Sequence, residues 1–152
     1  MTHLKVGDKA PAFKGINQFE ELIDSKDFKG KKIILFFYPK DSTPACTAEA
    51  CNLRDHFKEL TDLGFLVIGV SMDSPKRHLN FISKNKLPYH LIADENKILI
   101  LKYGVWGWKK FMGREFEGIL RTTFIINVKG IIENIITKVN TKNHFEQIMS
   151  LY

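Results

Sequence analysis

Two segments of this chain follow the same plan. KKIILFFYP, Lys31 to Pro39, carries an unbroken apolar run from Ile33 to Tyr38, and FLVIGVSM, Phe65 to Met72, carries another. Runs this short and continuous, rich in β-branched and aromatic residues, fit strands buried on both faces. After each comes a hydroxyl residue and a proline, Thr43-Pro44 and Ser74-Pro75, and then helical periodicity. Proline at the first helical position behind Ser or Thr is a helix start. The first helix is expected from Ala45 to about Leu63 and the second to about Asn85. Strand and helix in this alternation predict an α/β fold.

The rest of the chain completes a mixed sheet. YHLIAD reads as a third short strand and NKILILKYG as a short helix. TTFIIN and IIENIITKV read as two strands around the turn NVKG. NTKNHFEQIMSLY closes as a helix with Thr141 as its expected cap. The result is one domain over residues 1–152, a central mixed sheet with helices on both faces. With 152 residues, 44% hydrophobic, one sizeable core is within reach. No apolar window of about 18 residues is present, so no membrane contact is expected. MTHLKVGDKAPAF lacks a continuous apolar stretch, so no signal peptide is expected.

Two cysteines do not make a disulfide scaffold, which favours a reducing, cytoplasmic setting. The formal charge is +6, with 19 Lys against 4 Arg scattered along the chain. Scattered lysine suits a solvated surface; nucleic-acid binding calls for clustered Arg and interleaved aromatics, to which only WGWKKF, Trp106 to Phe111, comes near. That segment reads as a loop whose aromatics pack near the functional site.

Both cysteines fall in STPACTAEAC, five positions apart. With Thr43 as N-cap and Pro44 in the first turn, Cys46 sits where unpaired backbone N–H groups and the helix dipole favour an anion, here a thiolate. Cys46, Ala50, Leu53, Phe57 and Leu60 form one apolar stripe, so Cys46 faces the protein body. Cys51 lies on a flank, about 140° around the helix. A metal module could draw on Cys46, Cys51 and His56, but the spacing is unlike the usual paired ligand sets and no fourth ligand is evident. A thioredoxin-type dithiol would need C-x-x-C, which is absent.

FYPKDSTPACTAEACNLRD resembles the peroxiredoxins, and within them the branch called bacterioferritin comigratory protein or peroxiredoxin Q. Pro39, Thr43 and Cys46 match the family's Pro-x-x-x-Thr-x-x-Cys signature in register. VGDKAPAF, GFLVIGVSMDS and YGVWGWKKFMGREFEGILRTTFIIN extend the likeness over nearly the whole chain. One departure is Ala45, where the branch usually has Gly.

The resemblance implies a thioredoxin-like fold and thiol-dependent reduction of hydroperoxides, with Cys46 as nucleophile and Cys51 as resolving cysteine in an intrachain disulfide. It implies that Thr43 and Arg121 serve the sulfur and the peroxide, that Pro39 shapes and shields the site, and that Glu49 orients Arg121. It implies thioredoxin or glutaredoxin as reductant, and no metal, haem or flavin. An intrachain resolving cysteine removes the need for a second subunit, so a monomer is expected.

Overall fold

The computed structural model describes residues 1–152. In chain order the elements are β1 (Lys14–Ile16), β2 (Leu22–Asp24), a 3-10 turn at Ser25–Phe28, β3 (Lys32–Phe37), α1 (Pro44–Asp55) and α2 (Phe57–Asp62). There follow β4 (Phe65–Ser71), α3 (Pro75–Asn85), β5 (His90–Ala93), α4 (Ile98–Lys102), β6 (Trp106–Phe111) and β7 (Arg114–Ile119). The chain closes with β8 (Thr122–Ile126), β9 (Ile132–Ile136) and α5 (His144–Met149).

Seven strands form one mixed sheet in the order β2-β1-β5-β4-β3-β8-β9. The two apolar runs that fix the architecture, β3 and β4, lie parallel at its centre, and β4 pairs parallel with β5. β8 runs antiparallel to β3, and β9 antiparallel to β8. Side-chain alternation along β3 divides the core in two. Ile33, Leu35 and Phe37 pack with α4, Tyr103 and Phe124 on one face. Ile34, Phe36 and Tyr38 pack on the other with Cys46, Ala50 and Leu53 of α1, Leu60 of α2, Phe81 of α3 and Ile148 of α5. Helices therefore cover both faces, as the alternation predicts.

Four local expectations are corrected. The helix expected from Ala45 to Leu63 is broken at His56, whose backbone leaves helical geometry (φ −110°, ψ 16°). The ring of His56 stacks flat on Phe145 of α5, 4.0 Å between centroids, so a tertiary contact accompanies the break. Thr43 occupies the N-cap position of α1, but its hydroxyl donates to the Lys40 carbonyl at 2.9 Å and no side chain caps the helix. Thr141 does not cap α5 either. The backbone N–H of Phe145 is accepted by Asn52 Oδ1 at 2.7 Å, so α1 caps α5 from across the core.

The fourth correction is WGWKKF, which is a strand rather than a loop. It pairs with β7 in a separate antiparallel hairpin, register Phe111↔Arg114 through Trp106↔Ile119. Met112 and Gly113 both have positive φ (52° and 78°), the requirement of a two-residue I′-type turn. Trp108 and Phe111 project into solvent, 71% and 66% exposed, instead of packing over the site.

Candidate active site

β3 delivers the chain to the site. Its last bond is donated by the N–H of Tyr38 to the Val70 carbonyl. Half-buried Pro39, which has no N–H to extend the ladder, follows. The next turn is held by a buried brace that sequence reasoning missed. Asp41 donates its N–H to Asp73 Oδ2 at 2.8 Å, and its carboxylate accepts from the Tyr38 hydroxyl at 2.5 Å and from His78 Nδ1 at 2.6 Å. Asp73 Oδ2 also accepts from the Ser71 hydroxyl, and its Oδ1 pairs with Arg77. Burial, with Asp41 beside it, pushes the Tyr38 phenol well above its ordinary range. Ser42 then takes a left-handed backbone (φ 64°), a conformation unfavourable for a residue with a Cβ and held here by the anchored Asp41. The chain enters α1 directly afterwards.

On α1, Cys46 is buried, as its stripe position predicts. Arg121, in the link between β7 and β8, bridges two groups of this helix. Its Nη2 donates to Cys46 Sγ at 3.2 Å and its Nη1 to Glu49 Oε1 at 2.6 Å. Two contacts from one planar guanidinium fix its orientation, and both are charge-assisted when the acceptors are anionic. Glu49 is fully buried, not a helix-surface charge. Burial raises its carboxyl to about 7 against the opposing pull of Arg121. Cys46, Glu49 and Arg121 thus meet in one place, at the uncapped start of a helix. Pro39 and Thr43 belong to the turn that leads into it.

Cys51 sits apart from that cluster. Its Sγ donates to Asn85 Oδ1 of α3 at 3.7 Å, and burial pushes its thiol up, with Arg54 pulling the other way. Both cysteines are free thiols on one unbroken helix. Helix geometry then puts their Cα atoms roughly 8.6 Å apart, beyond the span of a disulfide.

A cavity of about 490 Å³ opens over Arg121, lined also by Lys109, Leu120, Thr122, Thr137 and Lys138; Cys46 lies behind the guanidinium rather than on its wall. The larger cavity, about 650 Å³, lies away from these groups between the N-terminal segment and the β8–β9 turn. Of the residues weighed as metal ligands, Cys46, Cys51 and His56 do not converge. The cluster whose ligand atoms fall within 4.8 Å of one another is Asp41, Asp73 and His78. Those atoms are already engaged with each other and with Tyr38, Ser71 and Arg77, which fits a brace and not a cation site. No helix is long and apolar enough to cross a membrane.

Residues 6–135 match the AhpC/TSA family. A protein of Haemophilus influenzae named as a bcp peroxiredoxin is 45% identical over 149 residues, covering 98% of this chain and 96% of that protein. Among solved structures, PrxQ of Xylella fastidiosa superposes with a TM-score of 0.92 at 25% identity, over 99% of this chain and 96% of that one. The bacterioferritin comigratory protein of Xanthomonas campestris, described in a study of alkyl peroxide reduction, superposes with a TM-score of 0.86 at 26% identity, over 99% and 96%.

Proposed function

The chain belongs to the AhpC/TSA family, in its Bcp/PrxQ peroxiredoxin branch, and from that premise we propose that it reduces hydroperoxides through Cys46. The observation that carries the proposal is the Arg121 guanidinium, shared between Cys46 Sγ and Glu49 at the start of α1. Helix N–H groups and a guanidinium placed together favour a thiolate and can receive the charge that develops on a departing oxygen. Cys46 thiolate attacks the distal oxygen of the peroxide. The S–O bond forms as the O–O bond breaks; the sulfur becomes sulfenic acid, and the released oxygen takes up a proton as alcohol or water.

Cys51 is the resolving residue in this scheme. Its thiolate attacks the sulfenic sulfur, water leaves, and an intrachain Cys46–Cys51 disulfide remains. The α1 geometry requires the first turns of the helix to unwind for that bond to close. A dithiol reductant of the thioredoxin or glutaredoxin class then returns both thiols, and the protein works as a monomer. Thr43 and Pro39 shape the approach to the sulfur, and Glu49 anchors Arg121. The reported alkyl peroxide activity of the Xanthomonas campestris relative supports organic hydroperoxides, beside hydrogen peroxide, as the substrate class.

Thiol titration after one equivalent of hydrogen peroxide tests the scheme. Both thiols should disappear rapidly with the mass of one disulfide. The Cys46→Ser protein should be folded and inert toward peroxide, since an alcohol supplies no anion at neutral pH. Turnover by that variant would remove Cys46 from its role.

A further inference from the structure

Glu49 is fully buried with half of its carboxyl unserved. Oε1 is held by Arg121, but Oε2 has no hydrogen-bond partner. A buried carboxylate with a bare oxygen is strongly unfavourable. The atom facing that oxygen is Nε2 of His144 on α5, 3.6 Å away and equally buried. The surroundings of His144 fix its tautomer. Gln147 Oε1 accepts the Asn140 N–H at 2.8 Å, and Gln147 Nε2 donates to the Lys138 carbonyl at 2.8 Å. The oxygen is therefore the atom facing His144 Nδ1, at 2.9 Å, and Nδ1 carries the hydrogen. Nε2 presents a lone pair, to which the Thr123 hydroxyl donates at 2.8 Å. The bare carboxyl oxygen thus faces a ring nitrogen whose lone pair Thr123 already serves, and an added proton relieves the repulsion between the two.

We propose that Glu49 and His144 form a buried pair that holds a single proton, and that this proton sets how much of the Arg121 charge is left for Cys46. His144 is then a positioning residue, acting through Glu49 and Arg121; this role rests on the peroxidase reading above. With the proton in place Glu49 is neutral, and the guanidinium faces one anion, the sulfur or the departing oxygen. Without it, two anions share the guanidinium and its hold on the reacting charge weakens. Burial raises Glu49 to about 7 and takes His144 down to about 4, so the proton resides on Glu49 and leaves near neutrality.

Other charged or titratable groups around Glu49 are Cys46 on its own helix, Arg121 before β8, and Tyr89 before β5. Tyr89 donates to the Ala50 carbonyl at 2.7 Å, and burial lifts its phenol well above the ordinary value, so it stays neutral. Lys109 on β6 faces Arg121 and Cys46, and burial lowers its pKa. Loss of its charge would also weaken the site as pH rises, but neither substitution below alters Lys109.

The test is a pH titration of the reduced full-length protein, followed by NMR of the Glu49 carboxyl carbon and the His144 ring nitrogens. The two should report one shared transition near pH 7. His144→Gln, whose amide can donate to Oε2, should move the Glu49 transition down by about one unit or more. Glu49→Gln should remove the transition from His144. In single-turnover reaction with hydrogen peroxide, the wild-type rate should fall in step with the transition by about three- to tenfold, a fraction of the effect of deleting such a donor. Glu49→Gln should lack that fall. A Glu49 transition indifferent to His144, or a rate profile indifferent to the transition, overturns the proposal. The titration needs no turnover, so a protein that never consumes peroxide through Cys46 would fail the peroxidase reading separately.

Discussion

Glu49→Gln should make the fold sensitive to mild acid, and the size of the effect follows from the two buried groups. Folding raises Glu49 from an ordinary 4.5 to about 7 and lowers His144 from an ordinary 6.5 to about 4, burial being the main cause of each. A carboxyl with a raised folded pKa contributes stability that is full below about 4.5 and is lost as pH rises through about 7. An imidazole with a depressed folded pKa contributes stability that is present above about 6.5 and is lost as pH falls through about 4. Between those ordinary values the unfolded chain carries its proton on His144 and the folded chain on Glu49. Each state holds one, so the pair adds no slope there. Glutamine at position 49 leaves the histidine contribution alone. At about 1.4 kcal/mol per pH unit and proton, the variant should lose roughly 3 kcal/mol relative to wild type between neutrality and about pH 4. Urea unfolding of both proteins across that range, followed by the fluorescence of Trp106 and Trp108, measures the difference directly. A stability difference that does not change with pH would refute the reasoning.

Cys51→Ser should still consume one equivalent of peroxide, trap Cys46 as sulfenic acid and over-oxidise more readily, while reductant-driven cycling is lost; a variant cycling at the wild-type rate assigns resolution elsewhere. Arg121→Lys keeps the charge but not the planar fork that bridges Cys46 and Glu49, so the peroxide rate constant in stopped flow should drop by about ten- to a thousandfold. Hydrogen exchange on reduced and oxidised protein should show amides of Cys46 to Leu53 losing protection on oxidation while β4 changes little; equal protection of α1 in both states, with the disulfide confirmed by mass, would exclude the unwinding step.

The legibility of this molecule in its sequence follows what a short window can report. Strands β3 and β4 announce themselves because both faces are buried, leaving an unbroken apolar run. The inward placement of Cys46 follows from helical spacing alone. Glu49 does not yield to the same treatment: helical spacing puts it beside Cys46, and only its long-range partners, Arg121 and His144, explain why a carboxyl is buried there. Arg121 is legible only through family resemblance, since nothing in LRTTF marks a guanidinium that turns inward to a cysteine. His144 depends on contacts with Thr123 and, far along the chain, with Glu49, and the Asp41 brace on joining Asp41 to Asp73 and His78, 32 and 37 positions away, so neither leaves a local pattern. The β6–β7 hairpin offers only the aromatics of WGWKKF and the pair Met112-Gly113, without sustained alternation of apolar and polar residues. Its non-glycine residue at the first turn position weakened the signal. Thr43 and Thr141 show the opposite error, a sound local rule overruled by a neighbour or by Asn52 across the core.

The interruption at His56 acts as a firebreak. Helical hydrogen bonding is cooperative along a continuous ladder, so a disturbance at one end spreads until the ladder ends. Here α1 ends at Asp55, and α2 begins afresh with Leu60 fully buried beneath it. His56 itself is moored outside that ladder, stacked on Phe145 and paired with Glu59 and Glu146. Loss of the cysteine-bearing turns can therefore run to Asp55 and stop, sparing the core contacts of the second helix.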